Sequence, residues 1–164
     1  MAAVDYFLKL DGIEGESQDK THKGEINIDS FSWGMSQSGS FAVGSGAGTG
    51  KVQVQDFHFT MRTSKASPNI FNKAVTGSHL KDAVLSCRKA GGDGQGQDFM
   101  KFTLSDVLIS SYSINGDGNS IIGPEDAVSL NFARVEMSFT PQSTDGTLGT
   151  PVKAGWDLKL NKAI

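Results

Sequence analysis

Two strand-like segments, EINIDSFSWGM over 25–35 and KVQVQDFHFTM over 51–61, flank the glycine-rich connection SQSGSFAVGSGAGTG. In both, the apolar parity changes midway. Ile26 and Ile28 share one face, whereas Phe31, Trp33 and Met35 lie on the other; Val52 and Val54 give way in the same manner to Phe57, Phe59 and Met61. Side chains alternate with period two, so a strand can change its buried parity only through a bulge or a sharp bend that carries it from one packing surface to another. Coincident switches in adjacent segments predict a corner of a small barrel.

Taken as one continuous antiparallel ladder, the two segments pair best where partner numbers sum to 85, which sets Ile26 against Phe59, Ile28 against Phe57, Phe31 against Val54 and Trp33 against Val52. Sliding by one residue would oppose Phe31 and Trp33 to Gln55 and Gln53 and sacrifice aromatic burial worth roughly 1.5 to 3 kcal/mol per large side chain. The predicted core therefore includes Ile28, Phe31, Trp33, Val54, Phe57 and Phe59, with Trp156 near the end of the chain.

Alternation predicts further strands near 4–10, 80–90, 98–114, 127–140 and 152–160, and extends the second flanking strand to 63. The parity switch recurs, from Phe102 and Leu104 to Val107 and Ile109, and from Leu130 and Phe132 to Val135 and Met137. One short helix is expected at about residues 68–76, with Ser67 as cap, Pro68 in the first turn and Gly77 as a left-handed stop. Its stripe of Ile70, Phe71, Ala74 and Val75 would lie on the sheet. The expected fold is thus mainly β, a small β-barrel of two antiparallel sheets with one flanking α-helix, in a single domain over 1–164. At 164 residues, a chain can bury about two thirds of its unfolded surface.

The one cysteine, Cys87, cannot form an intrachain disulfide. The first residues, MAAVDYFLKLDGIEG, lack a basic opening and carry Asp5 and Lys9 inside their apolar part, unlike a secretory leader. No apolar run reaches membrane-spanning length. A net charge of −3 with interspersed signs gives no footprint for nucleic acid or anionic lipid, so neither is expected as a partner.

Sites for small groups fail on spacing. A phosphate loop ending at Gly50-Lys51 would need glycine in place of Ser45 and a hydroxyl in place of Val52. A dinucleotide loop would need glycine in place of Thr49. The acidic glycine segments at 91–98 and 115–120 lack the liganding residues of calcium loops and read as hairpin turns. His22 stands in a charged loop, His79 follows the helix stop, and His58 alternates outward; scattered in this way, they read as surface residues. No catalytic set, cofactor or metal is expected, and the chain is not read as an enzyme.

Taken together, DYFLKLDGIEGES with Asp19 and His22, then EINIDSFSWGMSQSG, KVQVQDFHFT, ASPNIFNKAVTGSH, RKAGG, LNFARVEMSFTPQ with Asp145-Gly146, and GWDLKLN resemble the hemolysin-coregulated protein (Hcp) family of bacterial type VI secretion, in order over nearly the whole chain. Phe139 departs from the tyrosine common before the family's Pro-Gln. The resemblance implies a homohexameric ring that stacks into a tube inside a contractile sheath, meets spike and sheath proteins, carries effector proteins in its lumen, and is made in the cytoplasm and exported without a signal peptide. Within that frame, alternation turns Ser30 and Ser32 away from the core toward lumen and cargo. The long connection Ser36 to Gly50, through Ser38, Phe41, Val43, Gly44 and Gly46, is expected to make the ring-stacking contact. The competing reading is a non-enzymatic β-barrel module that binds a small ligand or carbohydrate.

Overall fold

The computed structural model describes residues 4–37, 52–89 and 96–164. In chain order these form β1 (Val4–Leu10), β2 (Ile26–Ile28), β3 (Ser30–Ser32), β4 (Met35–Gln37), β5 (Val52–Val54), β6 (Phe57–Arg62), α1 (Ser67–Thr76), β7 (His79–Lys89), β8 (Gln97–Asn115), β9 (Glu125–Phe139), β10 (Val152–Asp157) and β11 (Lys162–Ala163). Among the described residues there are two sheets, both antiparallel. The larger runs β11-β10-β9-β8-β7-β1-β2, with β6 joined to β9 and β3 to β6, and the smaller is the β4–β5 arm.

The larger sheet curls back on itself without closing into a barrel. Its return passes through Asp29, where one strand changes partner: β2 pairs with β1, setting Ile26 against Leu8, while β3 pairs with β6. This overturns the register expected for one continuous ladder. Partner numbers sum to 90 in β3–β6, setting Phe31 against Phe59, and to 89 in β4–β5, setting Met35 against Val54. The slip of one falls at Gly34 and Gln55, whose backbone bond of 3.0 Å joins the two ladders. Phe31 and Met35 still meet apolar partners, whereas Val52 lies across from Gln37.

The parity switches mark a line of bends across the sheet. At Asp106 the backbone takes φ 54, and burial passes from Phe102 and Leu104 to Val107 and Ile109. In β9 it passes from Leu130 and Phe132 to Val135 but not on to Met137, which is 39% exposed, and in β7 from Leu80 to Ala83 and Leu85. Each long strand thereby contributes to two packing surfaces. Phe57, Met61, Ile70, Val107 and Leu130 are fully buried where those surfaces meet.

Helix α1 departs from its expected anchoring. Ala66 is the N-cap and makes no side-chain cap; the Ser67 hydroxyl instead donates to Asp126 and accepts the Ser64 N–H at 3.0 Å. Asp126 is wholly buried and also accepts from Thr63 at 2.7 Å and Tyr112 at 3.1 Å, so three hydroxyls solvate a carboxylate taken out of water. That polar cluster, with Ile70, holds the helix. Phe71 and Val75 remain 54% and 66% exposed, contrary to the four-residue stripe. Gly77 ends the helix in the left-handed conformation, φ 62.

Ser67→Ala should therefore lower stability by about 1 to 3 kcal/mol, since a buried acceptor loses a donor. Thermal unfolding checks this, with Asn69→Ala, an exposed change on the same helix, expected to fall within about 0.5 kcal/mol of the parent.

Candidate functional site

Four strand segments place a band of hydroxyls on the face opposite the core. Phe31 and Phe59 turn inward, so alternation turns Ser30, Ser32, His58 and Thr60 outward. Ser129 of β9 pairs across from His58, and Ser111 and Ser113 of β8 extend the band. Ser30 and Thr60 share a hydrogen bond of 2.7 Å, and His58 Nδ1 shares one of 2.6 Å with Ser129 Oγ. They line a shallow depression of about 190 Å³ whose one ionisable side chain is His58.

Such a surface offers many weak, directionally adaptable hydrogen bonds and little charge. It is poorly equipped for acyl transfer. Among the described residues no carboxylate orients the His58 ring, and the nearby Asp56 is engaged by Ser110 at 2.6 Å and Asn131 at 3.0 Å. Cys87 is no better a nucleophile, because burial first, and the charge of Asp98 second, push its thiol up to about 12. Asp117 spends its carboxylate on its own turn, accepting the Asn119 N–H at 2.9 Å. Among the described residues no three or more His, Cys, Asp and Glu side chains gather as a metal site would require.

A second feature lies where the β4–β5 arm stands off from β9 and β10. There a groove of about 380 Å³ is lined by Trp33, Met35, Val54, Met137, Ala154 and Trp156, with no charged residue in its wall among the described residues. Trp33, Val54 and Trp156, with Phe31, are half-buried against the core, while Ile28, Phe57 and Phe59 are buried within it. The indole N–H groups of Trp33 and Trp156 are buried without hydrogen-bond partners among the described residues. Ser38, Phe41, Val43, Gly44 and Gly46 lie outside the described residues.

A family model described as "Type VI secretion system effector, Hcp" matches residues 7–139. The chain belongs to the Hcp family. It is 46% identical over 160 residues to protein hcp1 of Pseudomonas aeruginosa, covering 97% of this chain and 98% of that protein. Among solved structures, Hcp1 from Salmonella typhimurium matches with a TM-score of 0.79 at 32% identity over 99% of this chain and 100% of that one. A structure titled a type six secretion system protein matches at 0.91 and 28% identity, with the same coverage. The tube-subunit reading of type VI secretion is thus the one these relatives support, and a ligand-binding module is not favoured.

One residue of this Hcp chain behaves otherwise than its sequence context implied. His22 is only 6% exposed, stacked on Phe7 at 4.6 Å, and not a surface residue. Its Nδ1 lies 2.8 Å from Glu25 and its Nε2 3.0 Å from Asp98, which also meets Arg88 at 3.3 Å. Asp19 accepts the His22 N–H at 3.0 Å and the Thr21 N–H at 2.9 Å, fixing the turn that delivers the ring. Of the neighbouring charges that made the loop look solvated, Glu25 is a partner of the ring, and the second partner, Asp98, comes from β8. Burial alone would push the imidazole down, but the bonds to Asp98 and Glu25 outweigh it and hold His22 above its ordinary 6.5. By contrast, His79 is exposed.

Because the folded-state value is raised, the stabilisation is complete below the unfolded value of 6.5 and is lost as pH rises through the folded one. His22→Gln should accordingly cost about 2 kcal/mol at pH 6 and less in alkaline solution. Urea denaturation at several pH values measures it; a loss independent of pH would contradict a charged His22.

Proposed function

We propose that this Hcp chain forms six-membered rings that stack into the tube of a type VI secretion system, with the hydroxyl band turned to the lumen. The observation that carries the orientation is the composition of that band: Ser30, Ser32, Thr60, Ser111, Ser113 and Ser129 with one histidine. Small hydroxyls leave a passage wide and impose no strong single-sign field, so varied effector proteins bind weakly and leave. The subunit acts as a structural and carrier protein and not as an enzyme. Its other partners are the spike and sheath proteins, and it reaches the exterior through the machine itself. The connection Ser36 to Gly50 supplies the ring-stacking contact; each copy is weak, and six acting together hold two rings by avidity.

Native mass spectrometry should give a six-subunit species, and monomer alone at every concentration would contradict the ring. Ser32→Arg should leave that species intact while reducing retention of co-purifying effector proteins severalfold; unchanged retention of every effector would remove Ser32 from the cargo surface.

A further inference from the structure

Sulfur is placed unevenly in this chain. Its one thiol, Cys87, is fully buried in β7, and burial first, with the charge of Asp98 second, pushes it up to about 12. The thiolate is the form that oxidants attack, so the usual first target of oxidation is closed here. The thioethers differ from one another. Met61 is fully buried and Met100 is half-buried against the core, whereas Met35 is 58% exposed and Met137 39% exposed. Both exposed thioethers stand in the wall of one groove, Met35 on the β4–β5 arm across from Val54 and Met137 on β9 across from Ala154.

The same groove is lined by Trp33 and Trp156, whose buried indole N–H groups have no acceptor among the described residues. A buried donor left unpaired is costly, and a thioether sulfur accepts only weakly. Oxidation of a methionine puts a polar oxygen on that sulfur without adding charge. We propose that Met35 and Met137 are the oxidant-reactive sulfurs of this protein, and that their sulfoxides supply the acceptors that the Trp33 and Trp156 N–H groups lack. With hydrogen peroxide as oxidant, the sulfur lone pair forms a bond to one peroxide oxygen as the O–O bond breaks. Sulfur gives up two electrons, and the departing hydroxide takes the proton of the transferred oxygen and leaves as water. Sulfoxide reductase reverses the change, drawing two electrons and two protons from a dithiol to return thioether and water. The groove wall thereby alternates between apolar and polar with the supply of oxidant. This modification site goes beyond the tube reading and does not depend on it.

Peptide mapping by mass spectrometry, after graded exposure of the purified protein to hydrogen peroxide, tests the choice of sulfurs. One oxygen should enter at Met35 and at Met137 about tenfold faster than at Met61, with Cys87 still titrating as a free thiol after denaturation. Oxidation of Met35 or Met137 no faster than of Met61, or loss of the Cys87 thiol first, overturns the inference. Ultraviolet resonance Raman spectroscopy tests the acceptor role, because Trp33 and Trp156 are the only tryptophans and their N–H bending band reports hydrogen bonding. The band should move to lower wavenumber as the sulfoxides form and return with sulfoxide reductase and dithiothreitol. The Met35→Leu, Met137→Leu double variant should keep the parent's melting temperature and show no shift with peroxide. A band unmoved while both sulfoxides form in the parent, or moved equally in the double variant, overturns the acceptor role.

Discussion

Period-two alternation ties every surface of this molecule to every other. A strand that turns Phe31 onto the core must expose Ser30 and Ser32, and one that buries Phe57 and Phe59 must expose His58. The hydroxyl band is therefore the obligatory reverse of the aromatic core. Moving one without the other requires a bend, and the chain places its bends at Asp29, Asp106 and Ala133, where burial changes parity. Those bends let long strands serve two packing surfaces and curl the sheet while its continuous ladder stays open.

The polar clusters secure what the bends leave loose. Asp126 draws Thr63, Ser67 and Tyr112 onto one buried carboxylate, fixing α1 against β8 and β9. His22 does the corresponding work for the loop between β1 and β2, between Glu25 of that loop and Asp98 at the foot of β8. In both, a buried ionisable group is satisfied by partners from distant segments, so losing one partner strands another. Neither cluster draws its partners from the hydroxyl band, whose own hydrogen bonds join Ser30 to Thr60 and His58 to Ser129.

Alternation made legible the positions of the strands, though not the breaks within 25–35 and 51–63, the parity switches at Phe102–Ile109 and Leu130–Val135 and the outward turn of Ser30 and Ser32, and the left-handed preference of glycine gave the helix end at Gly77. The register was not legible, because summing partner numbers assumes one partner per strand, and Asp29 divides its strand between β1 and β6. Helix anchoring was misread because Ser67 looked like a cap, while its acceptor, Asp126, lies 59 residues away. The burial of His22 was hidden for the same reason, since Asp98 stands 76 residues on. Local pattern reports the face of a side chain, and long-range polar pairing lies beyond it.

The central claim is that the face opposite the aromatic core is the inner wall of a tube. Electron cryo-microscopy of tubes grown from the purified protein addresses it most directly. The account predicts Ser30, Ser32, His58 and Thr60 on the lumenal surface, in six copies per ring. A reconstruction placing them on the outer wall, with the helix face of Phe71 and Val75 turned inward, would contradict it.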